Sequence, residues 1–220
     1  MKKYLFIISW IALGLYLLYI SLHGLFFPDE GYVLHSATRM LEGQILYRDF
    51  DFVYTPVAPF LNVLAFMLFG QSVLGERLFT LLISLLTCIF LYKLSFKILK
   101  NQFLSLLLTA IYASFGPGHI NFLWPSILSV DIAIISLYFF FEKKWRIFGA
   151  LAVLVFLTKQ NLGVGYFLAI FGALVLDSKQ RHIFKDFLKG ACTVFAIFLA
   201  YLLMTHSLQA FIDNMYTHTF

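Results

Sequence analysis

Long, uninterrupted runs of apolar side chains constrain the fold of this chain more than any other feature. The first run extends from Tyr4 to Phe27, and further runs follow at about 78–98, 103–115, 127–141, 147–158, 162–176 and 187–204. A helix needs about 20 apolar residues to cross the hydrocarbon layer of a bilayer. Because a helix satisfies its own backbone hydrogen bonds in lipid, the runs predict an all-α, polytopic transmembrane bundle with about seven spans.

The composition agrees with a membrane location. Hydrophobic residues make up 61% of the chain and charged residues only 12%, whereas a soluble domain is about 25% charged. The net charge of +5 could suggest a nucleic-acid partner. The basic residues are spread between apolar runs, however, where they act as a membrane orientation signal. We therefore expect membrane lipids and no nucleic acid as partners.

The distribution of basic residues predicts an orientation. The first apolar run is too long for a signal-peptide core of about 7–15 residues, so we expect an uncleaved first span. With seven spans and a cytoplasmic N-terminus, 12 basic residues lie inside and 4 outside, as the positive-inside rule favours. The split would reverse if the short run at 59–70 also crossed, so we expect that run to lie at the interface or to re-enter. The outer four are Arg39, Arg48, Arg77 and Lys159.

Acidic residues gather just after the first apolar run. Pro28 ends that run, and Asp29 occupies a position typical of a helix N-cap. The apolar residues between 30 and 42 then recur at one-face helical spacing up to Gly43, which predicts an amphipathic helix lying flat on the outer surface. Five of the 11 acids of the chain lie in this stretch: Asp29, Glu30, Glu42, Asp49 and Asp51.

The segment after this helix contains the sequence Asp49-Phe50-Asp51. If the segment is extended, Asp49 and Asp51 share one side of it and could contact a divalent metal or an acceptor molecule. An isolated pair with this spacing often arises by chance, so a solvated loop is the favoured interpretation. No cofactor is certain from the sequence, and no P-loop or other nucleotide-binding or metalloprotease motif is present.

The pattern over residues 29–77 resembles a known group of enzymes. It reads D-E-G-Y at 29–32, L-E-G at 41–43, Y-R-D-F at 47–50, F-G-Q-S at 69–72 and E-R-L at 76–78. This is similar to the first external loop of the GT-C superfamily of polytopic glycosyltransferases, which includes protein O-mannosyltransferases and bacterial aminoarabinose transferases. A partial match, F-L-T-K-Q-N-L-G at 156–163, resembles a Thr-Lys turn of the same superfamily.

The resemblance implies one transmembrane domain over residues 1–220, equivalent to the N-terminal conserved half of the superfamily. Its external loop at 28–76 would hold interfacial helices and the acidic site, and a C-terminal module would be absent. The implied reaction moves a sugar from a polyprenyl-phosphate donor to a glycan, lipid or protein acceptor. It would take place at the outer face of the plasma (inner) membrane.

That reaction needs a general base for the acceptor hydroxyl and stabilisation of the departing phosphate. By resemblance, Asp29 is the base and Glu30 orients the base or the acceptor. Lys159 is suited to hold the phosphate, with Arg77 a second phosphate candidate. Asp131 lies about one turn inside the outer end of the fourth predicted span, where an ionisable group is functional by default. It is therefore a further candidate for substrate binding.

Each assignment has a structural alternative. Asp29 could be only an N-cap, and Glu30 could serve only the helix dipole. Arg77 could anchor its helix by snorkelling, and Lys159 could pair with Asp131 across the bundle. For the whole chain, the alternatives are a non-catalytic binder of lipid-linked sugars, a flippase-like transporter and an inactive truncated fragment. A transporter needs ionisable groups along a path through the bilayer, whereas here they cluster at one face, which favours an enzyme.

Overall fold

A computed structural model describes residues 3–24, 28–176 and 181–219. Within these ranges the regular elements are helices, apart from one isolated bridge between Leu46 and Phe50. The prediction of an all-α fold is confirmed. The helices are α1 (Lys3–Ser21), α2 (Asp29–Leu41), α3 (Val57–Phe69), α4 (Val73–Leu99), α5 (Gln102–Phe115), α6 (Pro125–Phe141), α7 (Trp145–Phe156), α8 (Gln160–Leu176), α9 (Arg181–Met204) and α10 (Leu208–Thr219).

Seven of these helices, α1 and α4 to α9, coincide with the seven apolar runs. In the part of the chain that the structure describes, three segments are long and apolar enough to cross a bilayer: Tyr4–Ser21, Val73–Leu99 and Ile183–Met204. The helices α5, α6 and α7 are apolar but shorter. The last residues of the first predicted run, 25–27, lie outside the described ranges.

The two helices predicted for the external loop are present as α2 and α3. Val33 and Ala37 of α2 are completely buried, and the helix packs against α3. The 13 residues of α3 are too few for a crossing. Pro28, not Asp29, is the N-cap residue of α2, and no side chain caps this helix end. Asp29 is the first helical residue, so the N-cap interpretation of this residue is wrong.

Two further predictions about local structure differ from what is observed. The segment after α2 is not extended, because it folds into a tight turn at 47–49 in which Tyr47 has a φ of 69°. The side chain of Asp49 stabilises this turn by accepting a hydrogen bond from the Ile45 amide at 2.7 Å. The helix α10 was not predicted from the sequence.

The connections between helices alternate between two ends of the bundle. At one end, which we call the loop end, residues 28–72 contact the loop 116–124 and the connections at 157–159 and 205–207. Three contacts show this: the Tyr54 ring packs on Trp124 at 5.5 Å between centroids, the Val57 amide donates to the Leu157 carbonyl at 2.9 Å, and Arg48 Nη1 donates to the Thr205 carbonyl at 3.3 Å.

At the opposite, lysine-rich end, Lys97 of α4 pairs with Glu142 after α6 at 2.7 Å. Arg146 of α7 pairs with Asp186 of α9 at 3.2 Å. The basic residues predicted to lie outside are therefore found at the loop end, and those predicted to lie inside are found at the lysine-rich end wherever the structure describes them. Lys2 and Lys179 of the predicted inner set lie outside the described ranges.

Close packing fixes the start of α4 against the end of α3. The Ser72 side chain caps α4 by accepting a hydrogen bond from the Gly75 amide at 3.0 Å. A Cβ atom on Gly75 would lie 2.5 Å from the Gly70 carbonyl oxygen, which is a severe clash with backbone. Only glycine therefore allows this corner, which determines where the next two residues, Glu76 and Arg77, are placed.

Candidate active site

The segment 53–57, which leads from the loop after α2 into the first residue of α3, lies against the connection between α7 and α8. This contact places Tyr54 beside Lys159, although the two residues are far apart in sequence. Three hydrogen bonds hold the segment there: Val57 N to the Leu157 carbonyl at 2.9 Å, Thr55 Oγ1 to the Phe156 carbonyl at 2.8 Å, and Gln160 Nε2 to the Val53 carbonyl at 3.1 Å.

The ammonium group of Lys159 contacts a hydroxyl and an aromatic ring. Its Nζ lies 2.5 Å from Ser126 Oγ and 5.4 Å from the centroid of the Tyr54 ring. Lys159 is half-buried, and none of the ion pairs among the described residues includes it. A cation that is partly desolvated and bound to a hydroxyl and an aromatic face keeps its charge available for an anion.

Asp29 lies within electrostatic reach of the same tyrosine. Its carboxylate is exposed in the first turn of α2. Burial raises the pKa of the Tyr54 phenol, and the negative charge of Asp29 raises it further, which places the two groups within electrostatic reach. Trp124, just before α6, packs edge-to-face on the Tyr54 ring at 5.5 Å between centroids. The predicted phosphate-binding lysine therefore lies over the Tyr54 ring, and the predicted base lies within electrostatic reach of it.

Glu30, the residue after Asp29 in α2, forms a buried ion pair with Arg77. Arg77 donates from Nε to Glu30 Oε1 at 2.6 Å and from Nη2 to Glu30 Oε2 at 2.7 Å. Each side chain is only 5% exposed. Arg77 Nη1 also donates to the carbonyl of His23, at 3.3 Å, after the end of α1. The structure thus uses the charge of Arg77 to join α1, α2 and α4, and Glu30 is its carboxylate partner.

Glu76, which sequence reasoning did not single out, is fully buried beside this pair. Its Oε1 accepts hydrogen bonds from the Leu123 amide at 2.6 Å and from Thr80 Oγ1 at 2.8 Å. Asn121, also missed, donates to the carbonyls of Ile20 and His23 at 2.5 and 2.9 Å. The sequence signal that could have identified Glu76 was its position next to Arg77 at the start of a predicted span.

Asp131 lies away from Lys159. It is buried in α6 and accepts a hydrogen bond from the hydroxyl of Tyr112 on α5. Lys159 instead contacts Ser126, in the first turn of the same helix. The alternative in which Lys159 pairs with Asp131 is therefore wrong, and Asp131 is not brought to the group around Tyr54.

Asp49 and Asp51 do not form a paired carboxylate site. Asp49 pairs with Arg48 at 2.9 Å, and this hydrogen bond, with that from the Ile45 amide, lowers the pKa of the Asp49 carboxyl. Asp51, two residues further along the chain, is exposed. Among the described residues, no group of three or more His, Cys, Asp or Glu side chains could hold a metal ion.

An apolar groove lies among the last three helices. Its first part, about 670 Å³, lies among α8, α9 and α10 and is also lined by Thr55 and Gln160, which follow Tyr54 and Lys159 in the sequence. Its second part, about 550 Å³, continues between α8 and α9. Both parts share the side chains of Phe156, Val164 and Phe195. From Gln160 to Phe171, α8 rises by about 16 Å along this groove.

The fold and the site define a polytopic membrane protein with charged groups at the mouth of an apolar groove. The profile of one family, dolichyl-phosphate-mannose-protein mannosyltransferase, matches residues 54–208, and the chain belongs to this family. The resemblance to GT-C glycosyltransferases predicted from the loop motifs is thereby confirmed.

Relatives agree with this assignment. The chain is 28% identical over 222 residues to the undecaprenyl phosphate-alpha-4-amino-4-deoxy-L-arabinose arabinosyl transferase of Pseudomonas aeruginosa (strain LESB58), covering 91% of this chain and 40% of that protein. The transferase of the same name from Pseudomonas paraeruginosa (strain DSM 24068 / PA7) is 28% identical over 171 residues, covering 69% of this chain and 31% of that protein. The chain thus spans about 40% of the length of the first of these relatives. No solved structure matches the chain.

Proposed function

We propose that this chain carries the donor-binding and catalytic part of a glycosyltransferase that uses a polyprenyl-phosphate sugar. The observation that carries the proposal is that exposed Asp29 lies within electrostatic reach of Tyr54, while Lys159, which has no ion pair among the described residues, lies over the same ring near an apolar groove. The names of the relatives, which specify an undecaprenyl-phosphate sugar, support this class of donor.

The lysine and the groove suit the two parts of such a donor. The ammonium of Lys159, with the hydroxyl of Ser126 at 2.5 Å, would bind the phosphate. The groove beside α8 would take the isoprenoid chain, since its lining is almost entirely apolar. Burial of apolar surface contributes about 25 cal/mol per Å². The tail would therefore supply much of the affinity, and the lysine would fix the position of the sugar.

The carboxylate suits the acceptor. In the proposed step, Asp29 takes the proton of the acceptor hydroxyl as the acceptor oxygen bonds to the anomeric carbon. The bond between that carbon and the phosphate oxygen breaks, and its electron pair leaves with the lipid phosphate. Lys159 stabilises the negative charge that develops on this leaving group. The buried Glu30–Arg77 pair would hold the first turn of α2, and thus Asp29, in place.

We further propose that the loop end faces away from the cytoplasm, across a plasma (inner) membrane. The separation of basic residues between the two ends supports this orientation, because the lysine-rich end is the one expected inside. A glycan, lipid or protein acceptor would then approach from the outer surface. A binder of lipid-linked sugars without catalysis would use the same groove and Lys159 but would have no need of Asp29.

The test is a comparison of donor binding and sugar transfer in purified variants. Undecaprenyl phosphate binding is measured by native mass spectrometry, and transfer from an undecaprenyl-phosphate sugar is measured with membrane extracts as the acceptor source. We expect Asp29→Asn to abolish transfer while retaining donor binding and folding, and Lys159→Gln to weaken both binding and transfer. The controls are Asp51→Asn in the same loop and Lys100→Gln at the opposite end. Transfer by Asp29→Asn at the wild-type rate would refute the assignment of the base.

A further inference from the structure

The first turn of α4 contacts two separate segments of the loop end through adjacent side chains. Arg77 pairs with Glu30 of α2, and Glu76 accepts the amide of Leu123 in the loop before α6. Both contacts are buried. A buried hydrogen bond of this kind, at 2.6 Å, is not weakened by competing water. The loop is therefore held to α4 at this point by a strong, water-excluded contact.

The position of Leu123 matters because of the residues that follow it. Trp124 packs against the Tyr54 ring, and Pro125 begins α6. Ser126, in the first turn of α6, bonds to the ammonium of Lys159. The contact made by Glu76 thus lies three residues before the hydroxyl that holds the lysine.

We propose that Glu76 is a positioning residue of the transferase site. By holding the Leu123 amide, it fixes the start of α6 and, through Ser126, the position of the Lys159 ammonium relative to Asp29. This inference rests on the proposed function, since it assigns Lys159 to the donor phosphate.

The burial of the Glu76 carboxyl group favours this role over that of a structural hydrogen bond that only joins two segments. Its Oε2 is buried and has no hydrogen-bond partner in the described part of the chain. Burying a carboxylate without full compensation costs free energy of folding. A smaller polar side chain that merely tied two segments would avoid that cost. A glutamate at this position, whose Oε1 reaches both the Leu123 amide and Thr80 Oγ1, is therefore explained by the placement of the start of α6.

The central test compares Glu76→Leu with Glu76→Gln. Leucine removes the acceptor for the Leu123 amide, whereas glutamine retains an acceptor oxygen of the same reach. Thr80→Val is the matched control, because it removes the other hydrogen bond to the same oxygen at 2.8 Å and leaves the Leu123 contact. If Glu76→Leu does not fold, Glu76→Ala removes the same acceptor with less bulk.

Hydrogen exchange of the peptide that contains Leu123 reports the contact directly and needs no activity. We expect faster exchange in Glu76→Leu and near-wild-type exchange in Glu76→Gln and Thr80→Val. In parallel, kcat for transfer should fall by about 10- to 100-fold in Glu76→Leu, because a displacement of about 1 Å can cost two orders of magnitude. Glu76→Gln should restore most of this loss.

Coupling to Lys159 separates positioning from general loosening. In a Lys159→Gln background, Glu76→Leu should cause little further loss of undecaprenyl phosphate binding or transfer, because residues that act through one another are not additive. Additive losses, or unchanged exchange at Leu123 in Glu76→Leu, would overturn the inference. If the wild-type protein binds no undecaprenyl phosphate, the proposed function fails and the assignment of Glu76 to its site falls with it. The exchange result would then still show whether Glu76 holds the loop.

Discussion

Arg77→Ala provides the sharpest test of how the loop end is built. The sequence left two roles open for Arg77, binding of the donor phosphate and anchoring of its helix, and the structure adds a third, pairing with Glu30. The pair has two hydrogen bonds of 2.6 and 2.7 Å, and both side chains are 5% exposed. Removal of one partner from such a pair leaves a buried, uncompensated charge, which typically costs about 3–5 kcal/mol of stability.

The expected loss can be separated from a general effect of removing a charge. Lys97 and Glu142 form a pair of similar length, 2.7 Å, but their side chains are 37% and 34% exposed. An exposed pair contributes about 0–1 kcal/mol, so Lys97→Ala is the matched control. A double variant, Arg77→Met with Glu30→Gln, removes both charges and should recover much of the stability lost in Arg77→Ala.

The assay is thermal or denaturant unfolding of the purified protein in mild detergent, followed by tryptophan fluorescence, together with undecaprenyl phosphate binding. We expect Arg77→Ala to unfold far more readily than Lys97→Ala and the double variant to lie between them. Stability of Arg77→Ala within about 1 kcal/mol of wild type, combined with loss of lipid-phosphate binding, would refute this reasoning. Arg77 would then be a ligand of the donor rather than the partner of Glu30.

Two further predictions concern the corner before α4 and the groove. Gly75→Ala should lower stability and disturb the loop end, because its Cβ would lie 2.5 Å from the Gly70 carbonyl oxygen. Gly165→Ala should be tolerated, because a Cβ at that position would meet no atom within 4 Å. The melting temperatures of both variants test this prediction. Val164→Trp should weaken undecaprenyl phosphate binding by filling the groove at a residue that lines both of its parts. Unchanged lipid binding in this variant would contradict the assignment of the groove to the isoprenoid chain.

The helices could be predicted because hydropathy is a local property, but their first turns could not. The second apolar run was placed from about residue 78, whereas α4 begins at Val73 and includes Glu76 and Arg77. Ionisable side chains interrupt an apolar run in the sequence without interrupting the helix when buried partners satisfy them. Both residues have such partners at the loop end, in Leu123 and Glu30.

The site could be predicted only where a motif pointed to it. Resemblance directed attention to Asp29 and Lys159, but their common neighbour Tyr54 depends on the path of residues 53–57 across the bundle. Asp49 and Asp51 were expected to share a side only if their segment was extended, and alternation predicts a strand only when no turn intervenes. Here the turn places Tyr47 at positive φ. Glu76 was missed because an acid before an apolar run resembles a solvated loop residue.

Burial and pairing together divide the charges of the loop end into two kinds. Glu30, Arg77 and Glu76 are buried, and their polar groups bond to other protein groups, so these residues determine geometry. Lys159 is half-buried, and its neighbours are a hydroxyl and an aromatic ring, so no protein anion neutralises it among the described residues. A phosphate that arrives at the groove mouth would meet a cation whose position is fixed and whose charge is uncompensated. Preorganised charge of this kind stabilises a leaving group without the cost of rearrangement, which is the property that the proposed transfer requires.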